Sequence, residues 1–243
     1  MKRLEMYFLW VFMCSFVLAG HALAESSADP LADAGKAFAE GEYAKAAGLY
    51  RPLAEQGHAE ARLVLGTLYD IGLGVAQDYT EAIKWYRLAA EQGNAKAQSK
   101  LGSMYDIGLA VPQDKQEAAK WWRLAAEKGD AVAQLNLGSM YDRGKDVAQD
   151  SKEAVKWYRL SAEQGNAFAQ EKLGWKYASG EGVPQDDVLA HMWFNIAAND
   201  KFAAGRNVAI GQRDYIASRM TAQQIAKARD LAKKCTSKKF KGC

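Results

Sequence analysis

The 243-residue chain predicts an all-α fold, a solenoid of stacked helix-turn-helix repeats, on three observations. The first is self-similarity. Gly57, Gly93, Gly129 and Gly165 stand 36 residues apart, as do Gly66, Gly102, Gly138 and Gly174. Tyr69, Tyr105, Tyr141 and Tyr177 keep the same step, followed by Asp78, Asp114, Asp150 and Asp186, and by Trp85, Trp121, Trp157 and Trp193. A fixed period between about 20 and 50 residues marks a repeat array. The second observation is that each unit carries two sets of helix start and stop signals. The third is that apolar residues between those signals recur at helical spacing.

In chain order, residues 1–24 have the layout of a secretory signal peptide. Lys2 and Arg3 give a positive start, Tyr7 to Ala19 is an apolar run too short to cross a bilayer, and Ala22-Leu23-Ala24 is a small-x-small cleavage site. The mature chain is expected to begin at Glu25, with no stable membrane span and a periplasmic or secreted location. A retained anchor is the alternative, since Glu5 dilutes the positive end. Cys14 follows Val11, Phe12 and Met13 rather than the small residues of a lipid-attachment pattern, so it leaves with the leader.

Residues 25–57 form an opening helix pair, in which Gly35 and Phe38 stand for Gly66 and Tyr69. Residues 58–200 are the tandem repeats. In the unit from Asn94 to Gly129, Asn94 caps a first helix, helix A, which runs to Ile107 and stops at Gly108 in a left-handed turn. Asp114 with Glu117 makes a capping-box pattern that opens the second, helix B, which ends at Gly129. The box recurs as Asp78 with Glu81 and Asp150 with Glu153, and lapses where Leu189 follows Asp186. Gly102 falls mid-helix, where glycine costs roughly 1 kcal/mol relative to alanine, so close approach of helices A and B is its expected reason. Tyr105, Trp121, Leu124 and Ala125 are the expected buried stripe, with Trp122 reaching the neighbouring unit. Residues 201–243 close the stack. Lys201 stands where the next glycine would fall, and Thr221 with Gln224 opens a last helix to about Cys235.

Charge and cysteines narrow the partners. Removing Lys2, Arg3 and Glu5 from 32 basic and 29 acidic residues leaves a nearly neutral chain, without the basic face that nucleic acid needs. The lysines of the tail, Lys233 to Lys241, read as a solubilising segment, with anion binding the alternative. Cys235 and Cys243 remain as an even pair in an exported chain, a disulfide that would close the tail.

The run A-E-Q-G-N-A-x-A-Q-x-x-L-G-x-x-Y, then G-x-x-V-x-Q-D-x-x-E-A-x-K-W-Y/W-R-L-A, resembles the Sel-one-like repeat family, relatives of the tetratricopeptide repeats, over residues 54–198. The resemblance implies a right-handed superhelix acting as an adaptor or scaffold. Met192-Trp193-Phe194-Asn195-Ile196-Ala197-Ala198 resembles the last repeat of bacterial members.

No chemistry emerges from the remaining residues, and neither a cofactor nor an enzyme is expected. A metal site needs converging ligands, yet His58 and His191 lie in different repeats without spaced partners. His58 holds a capping position, and His191 reads as a surface or partly buried substitution. S-x-x-K, G-x-G-x-x-G and P-loop patterns are absent. Carboxylates belong to caps or to pairs such as Arg87 with Glu91 on solvated faces. The competing reading is a cell-envelope enzyme or a peptidoglycan- or β-lactam-binding protein, as in cysteine-rich relatives, whose cysteine pair per repeat this chain lacks.

Subtracting the repeats from one another exposes positions free to vary, and helix A varies most. Its ladders read Glu60, Lys96, Val132, Phe168; Leu63, Ser99, Leu135, Glu171; Thr67, Ser103, Ser139, Trp175; and Ile71, Ile107, Arg143, Ser179. Spacings of three and four put them on one face, which by analogy lines the concave groove. Phe168 and Trp175 stand out as aromatic anchors for a peptide or protein partner, the alternative being that they pack on the closing cap. Arg143, Lys96 and Lys172 offer charge to an acidic group, and Ile71, Ile107 and Leu135 offer apolar surface.

Overall fold

The computed structural model describes residues 29–144, 146–200 and 205–243; the expected leader lies outside them. The described residues form twelve α-helices and no strand. An opening pair, α1 (Pro30–Ala39) and α2 (Tyr43–Glu55), precedes four A/B pairs. These are α3 (Ala59–Ile71) with α4 (Tyr79–Glu91), and α5 (Ala95–Ile107) with α6 (Lys115–Glu127). Then come α7 (Ala131–Arg143) with α8 (Ser151–Ala162), and α9 (Ala167–Ser179) with α10 (Asp187–Asn199). The chain closes with α11 (Arg206–Ala217) and α12 (Ala222–Ser237). Up to α10 each helix packs mainly on its sequence neighbours, so the core is a row of clusters shared by adjacent units. Among the described residues no helix is long and apolar enough to cross a membrane.

The start signals work as local chemistry demands. Asn94, Asp130 and Asn166 each accept the backbone N–H three residues on, opening α5, α7 and α9. Asp78, Asp114, Asp150 and Asp186 each accept two first-turn N–H groups. Glu81, Glu117 and Glu153 do not complete a box; each pairs with the lysine one turn on, Glu117 with Lys120 at 2.9 Å. Asp186 therefore caps α10 despite Leu189. Among the described residues only Thr221 and Gln224, opening α12, form the reciprocal box. His58 holds the N-cap backbone of α3 without a side-chain hydrogen bond. Gly108 ends α5 in the left-handed region at φ 75°.

The mid-helix glycines are explained by contact. A Cβ on Gly102 would sit 2.6 Å from the Trp122 ring, and one on Gly66, Gly138 or Gly174 would sit 2.8 Å from Tyr86, Tyr158 or Phe194. This reverses two expected roles: Trp122 is the residue that fills its own unit, while Trp121 is partly buried against the preceding unit's cluster. The indole ladder packs backwards because its position turns toward the earlier helix pair, as Trp157 also does beside Trp122. Leu124 is 43% exposed and is no part of the stripe.

Two hydrogen-bond ladders stitch the units. Arg87 donates to the Tyr105 hydroxyl at 2.7 Å, Arg123 to Tyr141 at 2.9 Å and Arg159 to Tyr177 at 2.6 Å; Arg51 meets Tyr69 in the same way. Arg87 is thus turned to the next unit rather than to Glu91. Buried Gln98, Gln134 and Gln170 each donate to the carbonyl eight residues back, Ala90, Ala126 and Ala162. Arg62 does so to Ala54 at 2.9 Å, and Arg206 to Ala198 at 3.1 Å. Arg206 stands 36 residues after Gln170, so the repeat register survives past Lys201 even though the glycine is lost.

The closing pair departs in packing. Helices α11 and α12 each lie against α10 and barely touch one another. Ile216, Ala232 and Cys235 join Trp193 and Phe194 in one cluster. Cys235 and Cys243 are bonded, with Cα atoms 5.5 Å apart, as the cysteine count predicts.

Candidate interaction groove

The variable face of helix A assembles an open groove of about 600 Å³. Glu60, Leu63 and Thr67 come from α3, Ser99, Ser103 and Ile107 from α5, and Val132 from α7; Phe38 of α1 closes one end. Thr67 and Ser103 donate to the carbonyls of Leu63 and Ser99, one turn back. Their protons are thus spent on their own helices. Lys100 meets Asp70 at 3.5 Å across α5 and α3. Lys96 also lines the groove and makes no ion pair among the described residues.

The expected contact residues do not form one constellation. Ile107, 63% exposed, and Lys96 line the groove; Ile71 is half exposed but outside its lining. Leu135 is half-buried against the closing cluster. Arg143 lines a separate cavity of about 260 Å³ with Asp106, Lys115 and Asp146, while Lys172 is simply exposed.

Phe168 and Trp175 lie beyond the groove. Phe168 is 47% exposed and adjoins Gly205 at the start of α11. Trp175 is 40% exposed and meets Phe194 edge-on, ring centroids 5.7 Å apart. Its place is explained by three linked substitutions. In the first and third units the Tyr86 and Tyr158 hydroxyls bond Thr67 with Asp70 and Ser139 with Asp142, at 3.1–3.3 Å. In the fourth those positions are Trp175, Ala178 and Phe194, so a polar cluster has become an aromatic one. Trp175 thus packs within the fourth unit, on Phe194 of α10, while Phe168 lies beside the start of α11, and neither ring lines the groove.

Titratable groups follow this division. Burial pushes the Tyr86 and Tyr158 hydroxyls above the ordinary phenol range. Burial, with a lesser contribution from Lys172 and a Trp175 hydrogen bond that oppose it, raises Glu171. Lys176 stands where other units carry Leu68, Met104 and Met140 and is buried. Burial opposes its charge, but Asp142 and Glu181, the latter at 2.7 Å, outweigh it and hold its pKa above the ordinary lysine value. His191 is 1% exposed, not at the surface as its polarity suggested, because its position is a core one held elsewhere by Ile83, Ala119 and Val155. Among the described residues no group of three or more His, Cys, Asp or Glu is placed to hold a metal ion.

Sequence subtraction found the helix A positions but missed Phe38, Met104 and Leu109, which also line the groove. Phe38 was legible as the counterpart of Tyr69, but its place at the end of the groove was not.

The Sel1 repeat matches residues 59–94, 95–130, 131–166 and 167–201, each beginning at the first residue of an A helix. A protective antigen of uropathogenic Escherichia coli strains, displaying an SLR fold, is 37% identical with a TM-score of 0.72. The match covers 81% of this chain and 42% of that one, so the chain spans less than half of the antigen's length. A Sel1 repeat protein from Oxalobacter formigenes is 31% identical with a TM-score of 0.72, covering 90% of this chain and 93% of that one. No curated protein matches. Four matched repeats and two similar structures make the conclusion plain: the chain belongs to the Sel1 repeat family.

Proposed function

We propose that the protein is an exported, non-catalytic binding module that takes a peptide segment or protein surface along the helix A face. The observation that carries this reading is the coincidence of the groove with the positions that vary between repeats: Glu60, Lys96 and Val132 share one ladder, yet differ in charge and size. A framework that repeats while its exposed face diverges is how solenoids gain specificity. The groove lining mixes apolar side chains, such as Ile107 and Val132, with charged ones, such as Glu60 and Lys96, as interfaces do. Export is supported by the leader-like residues 1–24 and by the Cys235–Cys243 bond, which belongs to an oxidising compartment.

The test is selection of peptides from a displayed library against the protein and against an Ile107→Asp, Val132→Asp variant. Both side chains are more than half exposed, so the variant should keep its helical circular dichroism and melting temperature. Peptides held by the parent and lost by the variant support the groove. Peptides held equally by both, or no selection at all, overturn it. A Phe168→Ala, Trp175→Ala variant is expected to melt earlier while keeping the same peptides.

A further inference from the structure

A second concavity lies far from the groove, where α12 lies against α10. It measures about 560 Å³, the size of a small-molecule site. Asn195 and Asn199, one turn apart on α10, face Arg229 and Lys233, one turn apart on α12; Thr236 and Ser237 close the end near the disulfide. No carboxylate lines it.

Four other cations of the cap are already engaged, whereas among the described residues the side chains of Lys227 and of the tail lysines Lys238, Lys239 and Lys241, like those of Arg229 and Lys233, are not. Arg213 is paired with Asp214 at 2.8 Å, Lys234 with Asp230 at 2.8 Å and Arg219 with Asp187 at 2.5 Å. Arg206 is spent on the Ala198 carbonyl. Among the described residues Arg229, Lys233, Asn195 and Asn199 make no side-chain hydrogen bond or ion pair. One turn before Asn195 on α10, buried His191 leaves Nδ1 without a partner. Burial, then Arg213 and Arg229, hold its pKa below the usual imidazole range, with Asp214 opposing.

From this geometry we infer a binding site for a phosphorylated polyol or sugar between α10 and α12. The Arg229 fork and the Lys233 ammonium suit phosphate oxygens. The Asn195 and Asn199 carboxamides, each both donor and acceptor, suit hydroxyls. The disulfide fixes the last turn of α12, and with it the rim of the site. The site is independent of the groove.

Calorimetric titration of the disulfide-intact protein with glycerol phosphate tests this, with glycerol and inorganic phosphate as comparison ligands. Saturable binding is expected, tightest for glycerol phosphate. Asparagine side-chain amide signals in nitrogen–proton correlation spectra should move with it. Arg229→Gln with Lys233→Gln should weaken binding about tenfold or more, the worth of one charge-assisted contact, at unchanged melting temperature. Lys238→Gln with Lys239→Gln and Lys241→Gln in the tail should leave it intact. No saturable binding, or equal loss in the tail variant, overturns the site. Equal affinity for inorganic phosphate overturns the hydroxyl half of the assignment.

Discussion

The first three repeats and the fourth share one backbone plan but solve its interior differently. In the first and third, a tyrosine hydroxyl reaches from helix B to a hydroxyl and a carboxylate on helix A, and in the second the Trp122 indole N–H donates to the Ser99 carbonyl at 3.2 Å. The fourth replaces this polar seam with Phe194 and Trp175, and then packs α11 and α12 around the same helix. A unit inside the array is gripped from both sides and can carry polar contacts at its edge. The last repeat is followed by no further A/B pair, so extra apolar area and two closing helices packed on α10 take the place of that neighbour.

Breaking the closing side should have the largest effect. Trp193→Ala removes one of the largest fully buried side chains and is expected to cost about 3–5 kcal/mol in denaturant unfolding. An early loss confined to the closing helices would refine this into two unfolding units. Next, Gly102→Ala should destabilise by roughly 1–3 kcal/mol in spite of alanine's better helix propensity, because the new methyl meets the Trp122 ring. A gain in stability would mean that the ring can retreat.

The seam itself is tested by exchange. Tyr158→Phe removes the bonds to Ser139 and Asp142 and should cost about 1 kcal/mol. Phe194→Tyr buries a hydroxyl that Trp175 and Ala178 cannot serve and should cost about 1–3 kcal/mol. Equal effects would erase the distinction drawn between the units. The smallest effect concerns pH. His191 stays neutral in the fold, with Arg213, Arg229 and Asp214 as its charged neighbours, while the unfolded chain takes up a proton as pH falls through the ordinary value of 6.5. Its folded pKa is lowered, so this stability is present above that value and is lost as pH falls toward the folded one. His191→Val should flatten the melting-temperature profile over that window.

The helical stack was legible because period, caps and glycines each report a local geometric need. Directions were harder to read. Trp121 and Trp122 are adjacent tryptophans, and only the glycine opposite shows which of them turns inward. Periodicity gave the face on which Lys96 and Ile107 lie, but not where that face stays open. Phe168 and Trp175 looked like anchors because they broke a ladder; Trp175 breaks it together with Phe194 of α10. The α10–α12 concavity was hidden because Arg229 comes from a helix whose packing no longer follows the repeat.

The Arg–Tyr and Gln–carbonyl ladders have one more consequence. Every rung joins a helix to the unit beside it, and none skips a unit. The array therefore has no fixed natural length. Excision of residues 95–130 would rejoin two ends that already match, and would remove a strip of the groove without asking the rest of the molecule to rearrange.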